Sequence, residues 1–139
     1  MSEDLYHAQL VALARAADGA GRLDAPALFG EADNPLCGDR VRMTLRLDGD
    51  RIAALAHETR GCLLCEAAAA AIARHAAGAR PRDLLALGAG LRQWLNGDRP
   101  LPEPGWAELA AFAPVKSVRG RHDCVLLPFD ALRTALASR

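Results

Sequence analysis

The chain has 139 residues, of which 51% are apolar, and its seventeen basic residues balance its seventeen acidic residues. A chain of this size and apolar content is expected to bury a core of its own, without a metal ion to hold it together. The sequence contains no basic run and no basic patch interleaved with aromatic residues, which argues against a nucleic-acid partner. We find no internal repeat and no linker, and therefore expect a single domain over residues 1–139.

The first four residues, Met-Ser-Glu-Asp, are acidic where a signal peptide would be basic. No apolar stretch approaches the roughly eighteen residues of a membrane span. Four cysteines are also fewer than small secreted disulfide scaffolds usually carry, so reduced thiols are expected. These features together predict a cytoplasmic protein that does not enter a membrane and whose cysteines are available for metal binding or sulfur chemistry.

The first half of the chain predicts a helix, a loop and a β-hairpin. Residues 6–17 carry apolar side chains at helical spacing and end at a glycine-rich stretch. Residues 30–40 are rich in turn-forming residues and are expected to form a loop. Apolar and polar residues then alternate over 41–47, and a second run over 52–59 follows the turn Asp48-Gly49-Asp50. This pattern predicts two paired strands with one solvated face.

The second half of the chain predicts helices. Residues 62–77 are rich in alanine, with Cys62 at the N-terminal end and a glycine as the stop. A final helix is predicted over 128–138, with Pro128 in its first turn and Cys124 before it. The segments between them are shorter: helices over 81–87, 91–95 and near 106–112, and a turn region over 96–105.

Three cysteines, Cys37, Cys62 and Cys124, fall at predicted junctions between elements, where thiolates can converge without entering an element interior. The alternative is that each cysteine is a small hydrophobic residue of the core. Cys62 is favoured as a reactive thiol because a helix N-terminus stabilises an anion. Asp39 follows Cys37 by two residues and is either an ordinary turn aspartate or a fourth, more weakly held ligand beside three thiolates.

Three segments together resemble the NifU/IscU/SufU iron–sulfur assembly family. They are Asn34-Pro35-Leu36-Cys37-Gly38-Asp39, then Gly61-Cys62 leading into the alanine-rich helix, then Cys124 followed by a short apolar segment and a helix. The SufU-like branch is the more similar, because Arg121 precedes Cys124 by three residues, Asp123 stands where IscU-like proteins have histidine, and the spacer contains additional residues over 96–114. The resemblance implies an α+β fold with a small three-stranded antiparallel sheet and helices packed on one face.

The resemblance also implies a zinc site formed by Cys37, Asp39, Cys62 and Cys124, and a role as a zinc-dependent sulfurtransferase. Its partner would be a SufS-type cysteine desulfurase that hands over a persulfide sulfur for the SUF assembly complex. Cys37 would be the catalytic acceptor, freed when a histidine of the desulfurase replaces it on zinc. The alternative within the family is an IscU-like scaffold on which a [2Fe–2S] cluster is assembled by the same four ligands. A structural zinc module without chemistry is a third, less favoured alternative, because the chain has an adequate core.

Some residues fall outside the family pattern. Cys65 forms a C-x-x-C pair with Cys62, but no βαβ unit supports a thioredoxin-like fold, and buried filler and auxiliary thiol both remain open. His122, two residues before Cys124, is expected to be a solvated edge residue rather than a fifth ligand. The other histidines are expected to be structural: His7, His57 and His75. The aromatic residues in or near the spacer suggest core packing or a docking surface: Trp94, Trp106 and Phe112.

Overall fold

The computed structural model describes residues 2–36, 38–102 and 105–139, with side chains from residue 7 onward in those ranges. It has the predicted α+β architecture, a three-stranded antiparallel sheet in the order β1-β2-β3 with the helices packed against it. The elements in chain order are α1 Ser2–Ala16, β1 Leu28–Asn34, β2 Asp39–Asp48, β3 Arg51–Arg60, α2 Leu63–Ala76, α3 Pro81–Leu95, the 3₁₀ segment Ala107–Ser117, a short 3₁₀ turn Arg119–Arg121 and α4 His122–Ala137.

The predicted hairpin is confirmed, and its alternation defines two faces of the sheet. Val41, Met43 and Leu45 of β2 are fully buried, and α2 and α4 pack on this side of the sheet. Side chains two residues apart in a strand share a face, so Asp39 at the start of β2 points to the same side as Val41. The strand therefore turns one carboxylate inward at the end of the sheet.

The prediction of a loop over residues 30–40 is wrong for most of that range. Residues 28–34 form β1, which pairs with β2 from Leu28 opposite Leu45 to Asn34 opposite Asp39. Glycine at position 30 serves close packing instead of a turn, because a Cβ there would collide with the backbone of α4 at Ala131 and Ala135. A glycine needed for close approach to a helix looks the same in sequence as a glycine needed for a turn.

Helix α2 is confirmed, and its alanine content has a packing reason. The five residues Ala67–Ala71 are at most 1% exposed, because the helix is enclosed by α1, α4 and β3. Alanine has the strongest helix propensity and the smallest side chain that a helix can bury on several sides. Cys62 occupies the N-cap position of this helix, as the sequence predicts.

The two short helices predicted over 81–87 and 91–95 are one continuous helix, α3 Pro81–Leu95. The intervening glycines do not interrupt it. Gly88 lies against Phe129 of α4, where a Cβ would come within 3.0 Å of the ring. Close helix packing thus explains a residue that local sequence marks as a helix stop.

The last helix begins six residues earlier than predicted, at His122, so that Pro128 is inside α4 and Cys124 lies in its first turn. Proline has no amide hydrogen to donate to the carbonyl four residues earlier and usually disfavours a helix interior. Here Val125, Leu132 and most of their neighbours in α4 are buried against the sheet and the other helices. Burial of this face outweighs the cost of one proline.

The spacer between α3 and α4 is packed into the core. Trp94 and Phe112 are at most 7% exposed, and Trp106 stacks on the His75 ring at 4.8 Å between centroids. Glu108 accepts a hydrogen bond from Nε2 of His75 at 2.9 Å. Trp106 and Glu108 therefore tie the spacer to α2 through His75, and Trp94 and Phe112 are core residues and not a docking surface. Within the described ranges, no helix has both the length and the apolar content to cross a membrane.

Candidate metal centre

Asp39, Cys62 and Cys124 converge at one end of the sheet. One carboxylate oxygen and the two Sγ atoms all lie within 4.8 Å of one another. They come from three different elements: the first residue of β2, the N-cap of α2 and the first turn of α4. Three of the four residues that the family resemblance implies as ligands are thus neighbours in space.

Asp39 is a buried carboxylate, and one of its oxygens has no hydrogen-bond partner among the described residues. It is 7% exposed, and the unpartnered atom is Oδ2. Burying a polar oxygen without a partner costs free energy, and for a carboxylate the cost is larger still. A bound cation would satisfy this oxygen, and thiolates with a carboxylate suit zinc or an iron–sulfur cluster. The residues present therefore fit a metal.

Gly61 makes room for the carboxylate. A Cβ on this residue would stand 2.9 Å from Cγ of Asp39, 3.1 Å from its Oδ2 and 3.1 Å from Cβ of Cys65. Real Cβ atoms do not approach other heavy atoms as closely as 2.9 Å. The glycine before Cys62 is therefore part of the construction of the site, and not only the turn between β3 and α2.

Two helix N-termini point at the centre. Cys62 has extended backbone angles, φ −73° and ψ 172°, and its side chain does not cap α2. Cys124 is 5% exposed in the first turn of α4. Both cysteines therefore lie beside the partial positive charge that the N-terminus of a helix carries.

Arg121 places a full positive charge beside the thiols of Cys62 and Cys124. The negative charge of Cys62 is the largest influence on this guanidinium, and with hydrogen bonds to Cys62 and Cys124 it raises the pKa of Arg121. In the sequence, this arginine only distinguishes two branches of the family that the chain resembles. Its contact with both thiols follows from the 3₁₀ turn Arg119–Arg121, which leads directly into α4.

Cys37, the fourth predicted ligand, lies outside the described residues. The residues on either side of it close a tight turn at the end of β1. The amide of Gly38 donates to the carbonyl of Asn34 at 2.8 Å, and the amide of Leu36 donates to Oδ1 of Asn34 at 3.1 Å. Gly38 has φ +76°, a left-handed conformation that favours glycine.

Burial shows that neither Cys65 nor His122 belongs to the cluster of three residues. Cys65 is completely buried within the core and is not one of the three clustered residues in the described part of the chain. The prediction of a solvated edge position for His122 is wrong, because it is 7% exposed. Its Nε2 donates to the carbonyls of Val115 and Lys116, at 3.0 and 3.1 Å. His122 thus ties the spacer to the start of α4, beside the centre but not in it.

Comparison with known proteins identifies the family to which this chain belongs. Residues 6–89 match the NifU-like N-terminal domain, a range that includes Asp39 and Cys62 but not Cys124. The chain belongs to this family of iron–sulfur cluster assembly proteins, whose members include SufU and IscU.

Three relatives show how far the likeness extends. The chain is 45% identical over 60 residues to a bifunctional NifU/MnmA protein of Rubrobacter xylanophilus, covering 42% of this chain and only 12% of that protein. It is 26% identical to the zinc-dependent sulfurtransferase SufU of Bacillus subtilis, covering 77% of this chain and 73% of the relative. It is also 26% identical to the iron–sulfur cluster assembly scaffold protein IscU of Streptococcus pyogenes, covering 76% and 67%.

Solved structures show the same fold over almost the whole chain. A NifU-like protein of Brucella abortus superimposes with a TM-score of 0.91 at 28% identity, covering 98% of this chain and 94% of the other. A putative SUF-system scaffold protein of Fervidobacterium islandicum gives a TM-score of 0.85 at 23% identity, covering 92% and 93%. The second likeness concerns the fold alone.

Proposed function

We propose that Cys37, Asp39, Cys62 and Cys124 bind one zinc ion. The observation that carries this proposal is the buried, unpartnered Oδ2 of Asp39 beside two thiols within 4.8 Å. Three thiolates and one carboxylate match the tetrahedral preference of zinc for sulfur, nitrogen and oxygen ligands. Cys37 enters this set through the family pattern, as the cysteine two residues before Asp39.

A purely structural metal would be redundant in this chain. The hydrophobic core runs continuously from α1 through the sheet to α4, and many of its side chains are completely buried. Small domains that depend on zinc for folding lack such a core. The thiols of Cys62 and Cys124 lie at one end of the sheet beside the exposed Arg121, which supports a chemical role instead.

The proposed activity is zinc-dependent sulfur transfer. A SufS-type cysteine desulfurase would supply persulfide sulfur in the cytoplasm, and the chain would carry it to the SUF assembly complex. The similarity to the Bacillus subtilis sulfurtransferase supports this activity. The chemistry of the ligand set supports it as well, since a carboxylate is held by zinc less strongly than a thiolate and makes the site easier to open.

The transfer is a thiol exchange at sulfur. The thiolate of Cys37 attacks the terminal sulfur of the donor persulfide, the S–S bond of the donor breaks, and the donor cysteine leaves as a thiolate. Cys37 then carries the persulfide, and no external oxidant or reductant is consumed. Zinc, when bound, supplies a Lewis acid that keeps its thiol ligands deprotonated at neutral pH. Arg121 contributes positive charge beside Cys62 and Cys124 throughout the exchange.

The second candidate is a scaffold for a [2Fe–2S] cluster. The same thiols suit iron, and the similarity to the Streptococcus pyogenes scaffold protein favours this use of them. The two candidates differ in what the purified protein contains: a cluster protein is coloured and air-sensitive, whereas a zinc protein is colourless.

Purification without oxygen, followed by metal analysis and a visible spectrum, separates the two. We expect about one zinc per chain and no absorption at wavelengths longer than those at which the protein itself absorbs. The zinc protein is then mixed with a SufS-type desulfurase and cysteine, and sulfur bound to the chain is measured after one turnover. Sulfur acceptance by the zinc form supports the proposal. Stoichiometric iron and sulfide, with no sulfur acceptance by the zinc form, would establish the scaffold instead.

A further inference from the structure

Cys62 and Cys65 form a C-x-x-C pair at the start of α2, and only Cys62 has a place in the proposed zinc site. Cys62 is the N-cap of this helix, so Cys65 is its third residue. Residues three apart in a helix are neighbours on its surface, and C-x-x-C is the shortest of the common spacings with which two thiolates hold zinc. The first turn of α2 therefore carries one thiol more than the site uses.

Cys65 and the carboxylate of Asp39 flank the same glycine. The Cβ position of residue 61 is 3.1 Å from Cβ of Cys65, 2.9 Å from Cγ of Asp39 and 3.1 Å from its Oδ2. This Oδ2 is the buried oxygen that has no hydrogen-bond partner among the described residues. The extra thiol thus lies on the inner side of the metal centre, next to the atom that most needs a cation.

A change of rotamer is sufficient to bring the thiol of Cys65 into the centre. Its Sγ atom is outside the group of ligand atoms of Asp39, Cys62 and Cys124 that lie within 4.8 Å of one another. Cysteine has a single side-chain torsion, and its sulfur occupies one of a few staggered positions. Rotation about this bond moves the sulfur without moving α2.

Burial separates Cys65 from the transfer of sulfur. Cys65 is completely buried, whereas Cys62 is only partly buried, and Leu36, the neighbour of Cys37 in the chain, is 94% exposed. A partner protein has no access to a fully buried thiol. The position of Cys65 therefore suits it to bind the metal from the interior, and not to accept sulfur from a donor.

We propose that Cys65 is a reserve ligand of the zinc site, which takes the coordination position that Cys37 leaves when it accepts sulfur. Asp39, Cys62, Cys65 and Cys124 then hold the ion together. The thiol of Cys65 releases its proton to water when it binds, as thiol ligands of zinc do, and takes a proton back when Cys37 returns. This inference rests on the proposed sulfurtransferase function and assigns the residue that retains the metal during transfer.

The ligand count explains why a reserve thiol is useful. Without Cys37, the site keeps two thiolates and one carboxylate, and the carboxylate is the weaker ligand. Loss of a partner outside the ligand shell already lowers metal affinity about 10–100-fold, so loss of a thiolate ligand should cost at least as much. Cys65 restores three thiolates from the helix that already holds Cys62, so no other element has to move.

A double-mutant cycle over positions 37 and 65 tests the proposal. The zinc-loaded wild type is compared with Cys37→Ala, with Cys65→Ala and with the double variant. X-ray absorption at the zinc edge counts the sulfur neighbours, competition with a chromogenic chelator gives the zinc affinity, and the melting temperature checks folding. Cys65→Ala alone is the matched control, because it removes the same buried side chain while the four proposed ligands remain.

We expect three sulfur neighbours in Cys37→Ala and two in the double variant. The double variant should bind zinc at least about a hundredfold more weakly than Cys37→Ala, whereas Cys65→Ala alone should lie within about threefold of the wild type. Once loaded with sulfur by a SufS-type desulfurase, Cys65→Ala should release zinc to the chelator at least about tenfold faster than the loaded wild type. Before loading, the two should release zinc at similar rates.

Two sulfur neighbours in Cys37→Ala would overturn the proposal, as would equal zinc affinities of Cys37→Ala and the double variant. These two measurements do not involve the desulfurase, so they separate the proposal from the proposed function. Two sulfur neighbours in Cys37→Ala, with sulfur acceptance by the wild type, would overturn the reserve ligand and leave the function intact. Three sulfur neighbours in Cys37→Ala, with no sulfur acceptance by the wild type, would establish Cys65 as a zinc ligand and overturn the function.

Discussion

The backbone of Gly61 lies against the carboxylate of Asp39, so closely that a Cβ on residue 61 would stand 2.9 Å from Asp39 Cγ. Gly61→Ala must therefore push the carboxylate away from Cys62 and Cys124. We expect the affinity for zinc to fall by about tenfold or more, the range found when groups that position metal ligands are altered. Competition with a chromogenic chelator measures it.

The matched control is Gly120→Ala. Gly120 is also near the metal centre in sequence, since it immediately precedes Arg121. A Cβ on Gly120 would meet nothing within 4 Å. Its zinc affinity should equal that of the wild type. If Gly61→Ala and Gly120→Ala bind zinc equally well, the carboxylate is not held in a metal site by this packing.

Removal of the metal should weaken the fold without abolishing it. Structural zinc contributes roughly 10–16 kcal/mol in zinc-finger peptides, which lack a core of their own. In this chain the core side chains of α2, the sheet and α4 are buried independently of the centre. The chelated protein should keep its far-ultraviolet circular dichroism and unfold cooperatively at a lower temperature. Loss of all helical signal on chelation would contradict this expectation.

Replacement of the loop cysteine should stop sulfur acceptance. We expect Cys37→Ala to remain folded and to accept no sulfur from the desulfurase, and Cys65→Ala to keep most of the activity. Cys65 is fully buried in the core, so its substitution removes packing and not an accessible nucleophile. Single-turnover sulfide release measures both. Equal losses in the two variants would show that the C-x-x-C pair carries the chemistry.

The carboxylate should be one of four zinc ligands. X-ray absorption at the zinc edge of the wild type is expected to fit three sulfur neighbours at about 2.3 Å and one oxygen near 2.0 Å. Asp39→Ala should still bind zinc, because the thiolates supply most of the affinity, but it should exchange the metal at a different rate. Four sulfur neighbours in the wild type would instead identify Cys65 as the fourth ligand. An unchanged exchange rate in Asp39→Ala would show that Asp39 is not a ligand.

Acid should destabilise the protein through His57. Its ring is 4% exposed, Nε2 donates to the carbonyl of Asp18 at 2.9 Å, and Nδ1 lies 2.8 Å from the hydroxyl of Thr59. Burial is the largest influence and lowers the pKa of His57 below its usual value of 6.5, although the carboxylates of Asp18 and Glu66 act in the opposite direction. The folded state therefore holds the neutral ring while the unfolded chain takes up a proton.

Because the unfolded state binds more protons, the free energy of unfolding should fall as the pH drops below about 6.5 towards the folded pKa of His57. Denaturant titrations of the metal-free protein between neutral and mildly acid pH measure this slope, since thiol ligands would add their own pH dependence. His57→Gln should flatten it. His75→Gln is the control, because His75 is partly exposed beside Glu108. A slope unchanged by His57→Gln would exclude this histidine as the cause.

Local patterns in the sequence predicted the elements that bury one regular face. The alternation of β2 and β3 and the alanine-rich pattern of α2 reflect contacts that repeat every second residue or every turn, so they can be identified without knowing the partner. Cys62 at the N-terminus of α2 follows from the same pattern. The three-stranded sheet was implied by the family resemblance, but its first strand was not located.

Only the tertiary structure decided the features that depend on a distant partner. Gly30 and Gly88 are in a strand and a helix because α4 packs against them, and His122 is buried because the spacer folds over it. The family resemblance implied Asp39, Cys62 and Cys124 as ligands of one site, but their convergence within 4.8 Å depends on how β2, α2 and α4 meet. Spacing along a chain records the period of its own element, whereas the distance between elements is determined by the side chains packed between them.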